Sequence, residues 1–203
     1  MYISLPPTTR SILKRLVRSY VLSPSPLGIG KCGADSYIYL PRRIDGAGYI
    51  ELGKRSTIDK YSWLNAVAYY AGESFTPRIF IGDDVHIGRY ACIASINSII
   101  IEEGCLTSEY VYISDHAHGL SPEAGLIVDQ KLESKGPVCI GAHSFIGYRA
   151  CVMPGVSLGK HCVVGANSVV TSSFPDYSMV AGCPARLIKR YSPTQKKWLV
   201  ITT

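Results

Sequence analysis

Large aliphatic residues recur at every sixth position over much of the second half of the chain. The longest unbroken series consists of Ile140, Ile146, Val152, Leu158, Val164 and Val170. A period of six matches neither the 3.6-residue repeat of an amphipathic helix nor the two-residue alternation of an uninterrupted strand. The pattern therefore predicts that the chain forms a short strand, turns a corner and begins the next strand once in every six residues.

A second series, of small or narrow side chains, follows the aliphatic series four residues later. Its members in the same region are Ser144, Ala150, Val156, Cys162 and Ser168. Both series continue upstream, where the aliphatic positions are Leu52, Ile58, Leu64, Ile81, Ile87, Ile93, Ile101, Thr107 and Ile113 and the small positions include Asn97 and Ala117.

Three such strands and three corners close a triangular coil of roughly eighteen residues. We expect the aliphatic side chains to fill the axis of the coil and the narrow ones to let the corners pack closely. Successive coils would stack about 4.8 Å apart and pair their backbone groups, so that no single coil is stable alone. The repeat therefore predicts a solenoid.

Three segments interrupt the repeat. Residues 8–22 place apolar side chains at helical spacing with basic residues between them, which predicts an amphipathic helix packed on the coils, with attachment to a membrane surface as the alternative. Residues 65–78 bridge two coils, and residues 117–137 form a longer excursion of the kind that is usually functional. The predicted organisation is a helix and linker over 1–30, a solenoid over 31–183 with the insertion 117–137, and a C-terminal tail over 184–203.

The composition agrees with one soluble domain, since 47% of the 203 residues are hydrophobic and 18% are charged. The apolar runs are short and the first residues lack the order of a signal peptide, so we expect a cytoplasmic protein, with contact to the inner face of the membrane as an option. No acidic residue precedes Asp35, although five basic residues do. Such an asymmetry suits anionic lipid, nucleic acid, a phosphorylated ligand or only a solvated helix face.

The seven cysteines are an odd number, form no C-x-x-C pair and mostly occupy apolar periodic positions. We therefore expect small buried side chains and neither a disulfide framework nor a zinc site.

The repeat, which has the form [LIV]-G-x-x-[STAV]-x, and the ending AGCPARLIKR resemble those of the hexapeptide-repeat acyltransferases over roughly residues 37–190. The resemblance implies an all-β fold, the left-handed parallel β-helix, here with an N-terminal helix and a C-terminal extension. The string ISDHAHG before the excursion and SKGPVCIG after it are most similar to the branch that O-acetylates sugars of surface polysaccharides.

This resemblance implies an acetyl-CoA-dependent O-acetyltransferase that acts on a sugar hydroxyl in lipopolysaccharide or capsule biosynthesis. His116 aligns with the catalytic base, and His118 is expected to support the acceptor or to replace His116 as the base. An imidazole, with an ordinary pKa of about 6.5, can take the hydroxyl proton and return it to the departing thiolate without a metal. In an extended segment His118 shares the side of His116, and Asp115 points the other way.

The resemblance also implies contacts to acetyl-CoA in a groove between the subunits of a homotrimer. The pantetheine arm would run near Tyr148, Ala166 and Thr171, and the phosphates would meet Arg186 and Lys189. The expected partners are thus a small-molecule or saccharide acceptor and further copies of the chain, and nucleic acid is not among them.

Other functions remain open at this point. An N-acetyltransferase for an amino sugar or antibiotic would use the same fold, and a non-catalytic β-helix scaffold subunit would keep the repeat without needing the DHAH segment. A zinc carbonic anhydrase of the same fold would need an H-x-x-x-x-H pair, which this sequence lacks.

Overall fold

The short strands predicted from the six-residue period form a left-handed parallel β-helix in the computed structural model, which describes residues 27–201. The helix predicted over residues 8–22 lies outside the described residues. In chain order the strands of the described region are β1 (Lys31–Cys32), β2 (Tyr37–Ile38), β3 (Arg43–Asp45), β4 (Ile50–Leu52), β5 (Thr57–Ile58), β6 (Trp63–Ala66), β7 (Tyr69–Tyr70), β8 (Glu73–Ser74), β9 (Ile79–Ile81), β10 (His86–Ile87), β11 (Cys92–Ser95), β12 (Ile99–Ile101), β13 (Leu106–Thr107), β14 (Tyr112–Ser114), β15 (His116–His118), β16 (Leu132–Ser134), β17 (Val138–Ile140), β18 (Phe145–Ile146), β19 (Cys151–Val152), β20 (Ser157–Leu158), β21 (Val163–Val164), β22 (Val169–Val170), β23 (Ser178–Gly182), β24 (Ala185–Ser192) and β25 (Lys197–Val200). Two 3-10 turns lie at Ala47–Tyr49 and Ile127–Asp129.

Each coil contributes one strand to each of three sheets. Sheet 1 has the order β1-β4-β9-β12-β17-β20, sheet 2 begins β2-β5-β10-β13-β18-β21, and sheet 3 runs β3-β6-β11-β14-β19-β22. All these neighbours are parallel, and their registers bring equivalent repeat positions together, as when Ile93 pairs with both Leu64 and Ile113. The predicted fold class is therefore confirmed.

The aliphatic series forms the axis of the coils. Its six members from Ile140 to Val170 are at most 1% exposed. The small series is buried along the same stretch. Asn97 is exposed at the corner between β11 and β12, and Ala117 is exposed because the chain leaves the coil after β14.

Serine in the small series joins one coil to the next. The Ser56 hydroxyl donates to the Gly82 carbonyl at 2.7 Å and accepts from the Val85 amide at 3.0 Å. Ser144 accepts from the Cys162 amide at 3.0 Å in the same way. A narrow side chain is needed at these corners because the hydroxyl has to fit between two backbones.

The burial of the cysteines differs from the expectation. Only Cys105 and Cys162 are fully buried, and burial raises the pKa of the Cys105 thiol to about 11. The expectation of buried cysteines is wrong for the others, because they occupy outward-facing strand positions or turns.

Two segments leave the coils at the same corner, after strands of sheet 3. Residues 67–78 contain the antiparallel pair β7–β8 and are called the hairpin insertion. Residues 115–137 contain the antiparallel pair β15–β16 and are called the loop insertion. At the other end of the chain, β23 extends sheet 2 and the antiparallel strands β24 and β25 continue it. The described part of the chain contains no helix with the length and apolarity that spanning a bilayer requires.

Truncation of an axis residue should destabilise the protein much more than truncation on a face. Ile101 is fully buried and Leu106 is 48% exposed. Ile101→Ala is expected to lower the free energy of unfolding by about 2–5 kcal/mol, because it leaves a cavity in the axis. Leu106→Ala, the control, should change it by less than about 0.5 kcal/mol. Denaturant unfolding at fixed protein concentration checks this, and equal effects would contradict an axis formed by the aliphatic series.

Candidate active site

The two insertions meet over the outer surface of sheet 3. The Tyr70 hydroxyl of the hairpin insertion donates to the Val128 carbonyl of the loop insertion at 2.6 Å. The Tyr70 ring also meets the His118 ring edge-on, with their centroids 5.3 Å apart. Together the insertions and the sheet border an open cavity of about 510 Å³, lined by Trp63, Asn65, Val67, Tyr70, His116, His118, Ile127, Val128 and Leu132.

Both histidines come from strand β15, which pairs with β16 at the base of the loop insertion. His116 lies opposite Ser134 and His118 opposite Leu132. As expected for residues two apart in a strand, both rings face the same cavity. The His116 side chain is 11% exposed, whereas His118 is exposed to solvent.

Asp115 does not point away from His116, and that expectation is wrong. The chain bends at Asp115 between β14 and β15, so the alternation of side chains is interrupted there. The Asp115 carboxylate is fully buried, and its Oδ1 lies 2.9 Å from Nδ1 of His116. It also accepts hydrogen bonds from the Ser95 hydroxyl at 2.6 Å and from the backbone amides of Ile96 and Asn97 at 3.0 Å each.

These hydrogen bonds keep Asp115 ionised. Burial alone would raise the pKa of Asp115, but the hydrogen bonds from His116, Ser95 and the two amides together outweigh burial and hold that pKa below its ordinary value. An ionised carboxylate beside Nδ1 favours the tautomer of His116 with its proton on Nδ1. The ring nitrogen Nε2 is then the one available to accept a proton from a bound molecule.

The residues expected to bind the coenzyme lie elsewhere. Tyr148 and Ala166 occupy the corner that precedes sheet 3 in successive coils, and the Asn167 amide donates to the Tyr148 carbonyl at 2.7 Å. The histidines lie at the other corner, which follows the strands of sheet 3. One chain therefore brings Tyr148 and Ala166 together but separates them from His116.

The other three expected contacts lie near the C-terminal end of the solenoid. Thr171 directly follows β22, and Arg186 and Lys189 lie on β24. Arg186 is exposed, and its Nη1 donates to the Ala185 carbonyl at 3.1 Å.

Sequence reasoning missed the side chains that complete the cavity. Trp63 and Asn65 were within reach of prediction, because they alternate with the axis residue Leu64 and so must point outwards. Tyr70 was not, since the contact that places it joins residues 58 positions apart in sequence. Within residues 27–201 no three His, Cys, Asp or Glu side chains are grouped so that they could hold a metal ion.

Comparison with known proteins defines the class of the molecule. Residues 137–172 match the family model for the hexapeptide repeat of succinyl-transferase. AntD, an N-acyltransferase from Bacillus cereus solved in complex with dTDP and 3-hydroxybutyryl-CoA, aligns with a TM-score of 0.70 at 23% identity, over 84% of this chain and 88% of that chain. The repeat and the fold define a hexapeptide-repeat β-helix protein.

The sequence relatives of this chain include proteins named as O-acetyltransferases. WbbJ of Escherichia coli K12, provisionally named a lipopolysaccharide biosynthesis O-acetyl transferase, is 36% identical over 126 residues, 59% of this chain and 64% of that protein. Galactoside O-acetyltransferase of the same organism is 27% identical over 149 residues, 70% of this chain and 68% of that protein. The chain thus spans slightly less than two thirds of the length of WbbJ. Its repeat matches the hexapeptide-repeat family model over residues 137–172, and the chain is similar in sequence to proteins named as O-acetyltransferases.

Asp115→Asn should lower the free energy of unfolding near pH 7 by about 1–3 kcal/mol, because one amide –NH₂ must then face a backbone N–H donor. A carboxyl whose pKa is lower in the folded chain stabilises the fold above its unfolded value of about 3.9, and this contribution is lost as the pH falls through the folded value. The difference between wild type and variant should therefore shrink below about pH 4.

Denaturant unfolding over a pH series measures this difference. Asp129→Asn, in the exposed part of the loop insertion, is the matched control and should have little effect at any pH. A destabilisation by Asp115→Asn that stays constant through acid pH would contradict the role given to the carboxylate charge.

Proposed function

We propose that this protein is an acetyl-CoA-dependent O-acetyltransferase that transfers an acetyl group to a sugar hydroxyl, in the biosynthesis of lipopolysaccharide or capsule. The observation that carries the proposal is the buried Asp115–His116 pair, which holds a basic ring nitrogen at a partly apolar cavity. The sequence relatives named as O-acetyltransferases support the same chemistry. We place the reaction in the cytoplasm, where acetyl-CoA is available.

The acceptor sugar would bind in the cavity with its hydroxyl at Nε2 of His116. As the hydroxyl oxygen attacks the thioester carbonyl carbon, His116 takes the proton, and the buried charge of Asp115 stabilises the imidazolium that forms. Collapse of the tetrahedral intermediate breaks the carbon–sulfur bond, and His116 returns the proton to the sulfur of coenzyme A. His118 and Asn65 flank the position of the sugar.

Acetyl-CoA would use the residues inferred from the family resemblance. Its pantetheine arm would pass the corner formed by Tyr148 and Ala166 and then Thr171, and its phosphates would pair with Arg186 and Lys189. Tyr148 and Ala166 lie at the corner before the strands of sheet 3, His116 lies at the corner after them, and the other coenzyme residues lie near the C-terminal end of the solenoid. This separation supports a site completed by a second copy. We therefore propose a homotrimer with its active sites between subunits.

Loss of the base should stop the chemical step without loss of the fold. His116→Ala is expected to lower kcat by about a hundredfold or more, the usual range for a lost general base, with acetyl-CoA binding retained. His118→Ala should lower kcat less and raise the KM of the acceptor. The wild-type rate should also fall in acid, since an imidazolium cannot take the hydroxyl proton.

Release of the coenzyme A thiol, followed over a panel of sugar acceptors, measures these rates. His86→Ala, an exposed histidine on β10 in sheet 2, serves as the control and should keep the wild-type rate. A His116→Ala enzyme with near wild-type kcat would exclude the mechanism, and absence of thiol release from wild type with every acceptor would favour the scaffold function.

Arg186→Ala should raise the KM of acetyl-CoA more than it lowers kcat, because a phosphate contact binds ground and transition states alike. If the site draws His116 and Arg186 from different subunits, coassembly of the His116→Ala and Arg186→Ala chains restores intact sites, about a quarter of the total by random assortment. Activity at low acetyl-CoA concentration, measured on coexpressed chains and on the separate variants, tests this. No recovery in mixed oligomers would assign both residues to one subunit.

A further inference from the structure

A second cavity, of about 370 Å³, adjoins the first on the outer surface of sheet 3. The two cavities share Trp63, Asn65, Val67 and Tyr70 as lining residues, so they form one groove. The second cavity continues away from the histidines to strand β3. We call this continuation the distal groove, and its polar lining comes chiefly from Arg43 and Asp45.

Trp63 is held rigidly at the boundary between the two cavities. Its indole Nε1 donates to Oδ2 of Asp45 at 2.8 Å, and Nε of Arg43 donates to the same carboxylate at 2.8 Å. Strand pairing supports this arrangement, because Arg43 lies beside Trp63 and Asp45 beside Asn65 in sheet 3. The only polar atom of the indole is already hydrogen-bonded within the protein, so the rest of the ring presents an apolar surface. Such a surface suits packing against the C–H face of a sugar ring.

Two arginines lie near the Trp63 ring, and one of them, Arg43, lines the distal groove. The guanidinium carbons of Arg42 and Arg43 each lie 5.8 Å from the centroid of the Trp63 ring. Arg42 also acts on Cys92 in the next strand of sheet 3, where burial raises the pKa of the thiol and the Arg42 charge partly offsets that rise. Arg42 therefore extends over the outer surface of the sheet.

Only one of these two cations is neutralised. Arg43 pairs with Asp45 through Nε, and its terminal amino groups form no hydrogen bond within the described region. Arg42 has no carboxylate partner among residues 27–201. The unpaired Arg42 guanidinium and the free terminal amino groups of Arg43 favour an anionic oxygen ligand, because a guanidinium can bind one through two parallel hydrogen bonds.

We propose that the distal groove binds the part of the acceptor next to the acetylated sugar, and that this part is anionic. The unit attached to the reacting sugar packs on Trp63, and its carboxylate or phosphate pairs with Arg42 and the terminal amino groups of Arg43. The acceptor is then either an oligosaccharide with an acidic sugar or a glycosyl phosphate. The assignment of the reacting end rests on the proposed function.

Kinetics with the full-length protein test the charge preference. The acceptors are a panel of methyl glycosides, neutral disaccharides, disaccharides with a uronic acid and the sugar phosphates. Wild type should show kcat/KM about tenfold or more higher for a charged acceptor than for a neutral one of the same length. A preference for the uronic acid indicates an oligosaccharide acceptor, a preference for the phosphate indicates a glycosyl phosphate, and no preference for either overturns the proposal.

Arg42→Gln should remove most of this preference and leave the neutral acceptors unchanged. Lys60→Gln, which also removes one exposed positive charge, is the matched control and should keep the preference. If Arg42→Gln lowers the rate equally for charged and neutral acceptors, or if Lys60→Gln has the same effect, the local role of Arg42 is refuted.

A binding measurement separates this proposal from the proposed reaction. The chain has two tryptophans, Trp63 and Trp198, so a Trp198→Phe variant reports on Trp63 alone. Charged acceptors should change its fluorescence in a saturable way, and Arg42→Gln should weaken that binding by about tenfold. Saturable binding without acetyl transfer would support the binding role of the distal groove and contradict the proposed acetyltransferase function. Acetyl transfer to neutral acceptors without any change in Trp63 fluorescence would support the acetyltransferase function and contradict the binding role of the groove.

Discussion

Backbone hydrogen bonding between successive coils determines the rest of this structure. The coil strands of the three sheets up to β22 have only two to four residues each, too few for a stable pair in isolation, and they gain their stability from the strands stacked on them. Stacking in strict register forces equivalent residues into columns, so the axis positions of the six-residue series are aliphatic apart from the buried Thr107. Register also explains the serines of the small series, which add a hydroxyl contact between coils where the backbone turns.

The candidate site lies where this coil-to-coil pairing stops. Strand β11 ends at Ser95, and the amides of Ile96 and Asn97 that follow it have no strand partner in the next coil. Asp115, at the equivalent place in that next coil, accepts hydrogen bonds from both amides. The carboxylate thus has two tasks: it satisfies the backbone of one coil and it orients the imidazole of His116. The solenoid itself supplies the rigidity that the proposed general base needs.

The sequence predicts those features that depend on local periodicity. The six-residue period identifies the axis residues and the fold class, and the break in the period locates the segment that carries His116 and His118. The direction of the Asp115 side chain does not follow from the sequence, because side chains alternate only within a strand and the chain bends after β14. That bend depends on amides about twenty residues earlier in the chain. The cavity required a contact between Tyr70 and Val128, which no local pattern signals. The residues assigned to acetyl-CoA remain predictions, since their meeting with His116 depends on a second copy of the chain.

The two insertions emerge from one corner of the solenoid, after strands of the same sheet, and meet each other through Tyr70 and Val128. Neither contributes to the axis, so their lengths and compositions are free to vary while the coils keep their register. The proposed base His116 and its carboxylate stand at the start of the loop insertion, where the Ser95 hydroxyl and the Ile96 and Asn97 amides hold Asp115 against the coils. Under the proposed function, exchange of the hairpin insertion changes the acceptor in a single step and leaves the proton-transfer residues in place. Under the same proposal, the hairpin insertion is the segment to alter first in order to change the saccharide that is bound.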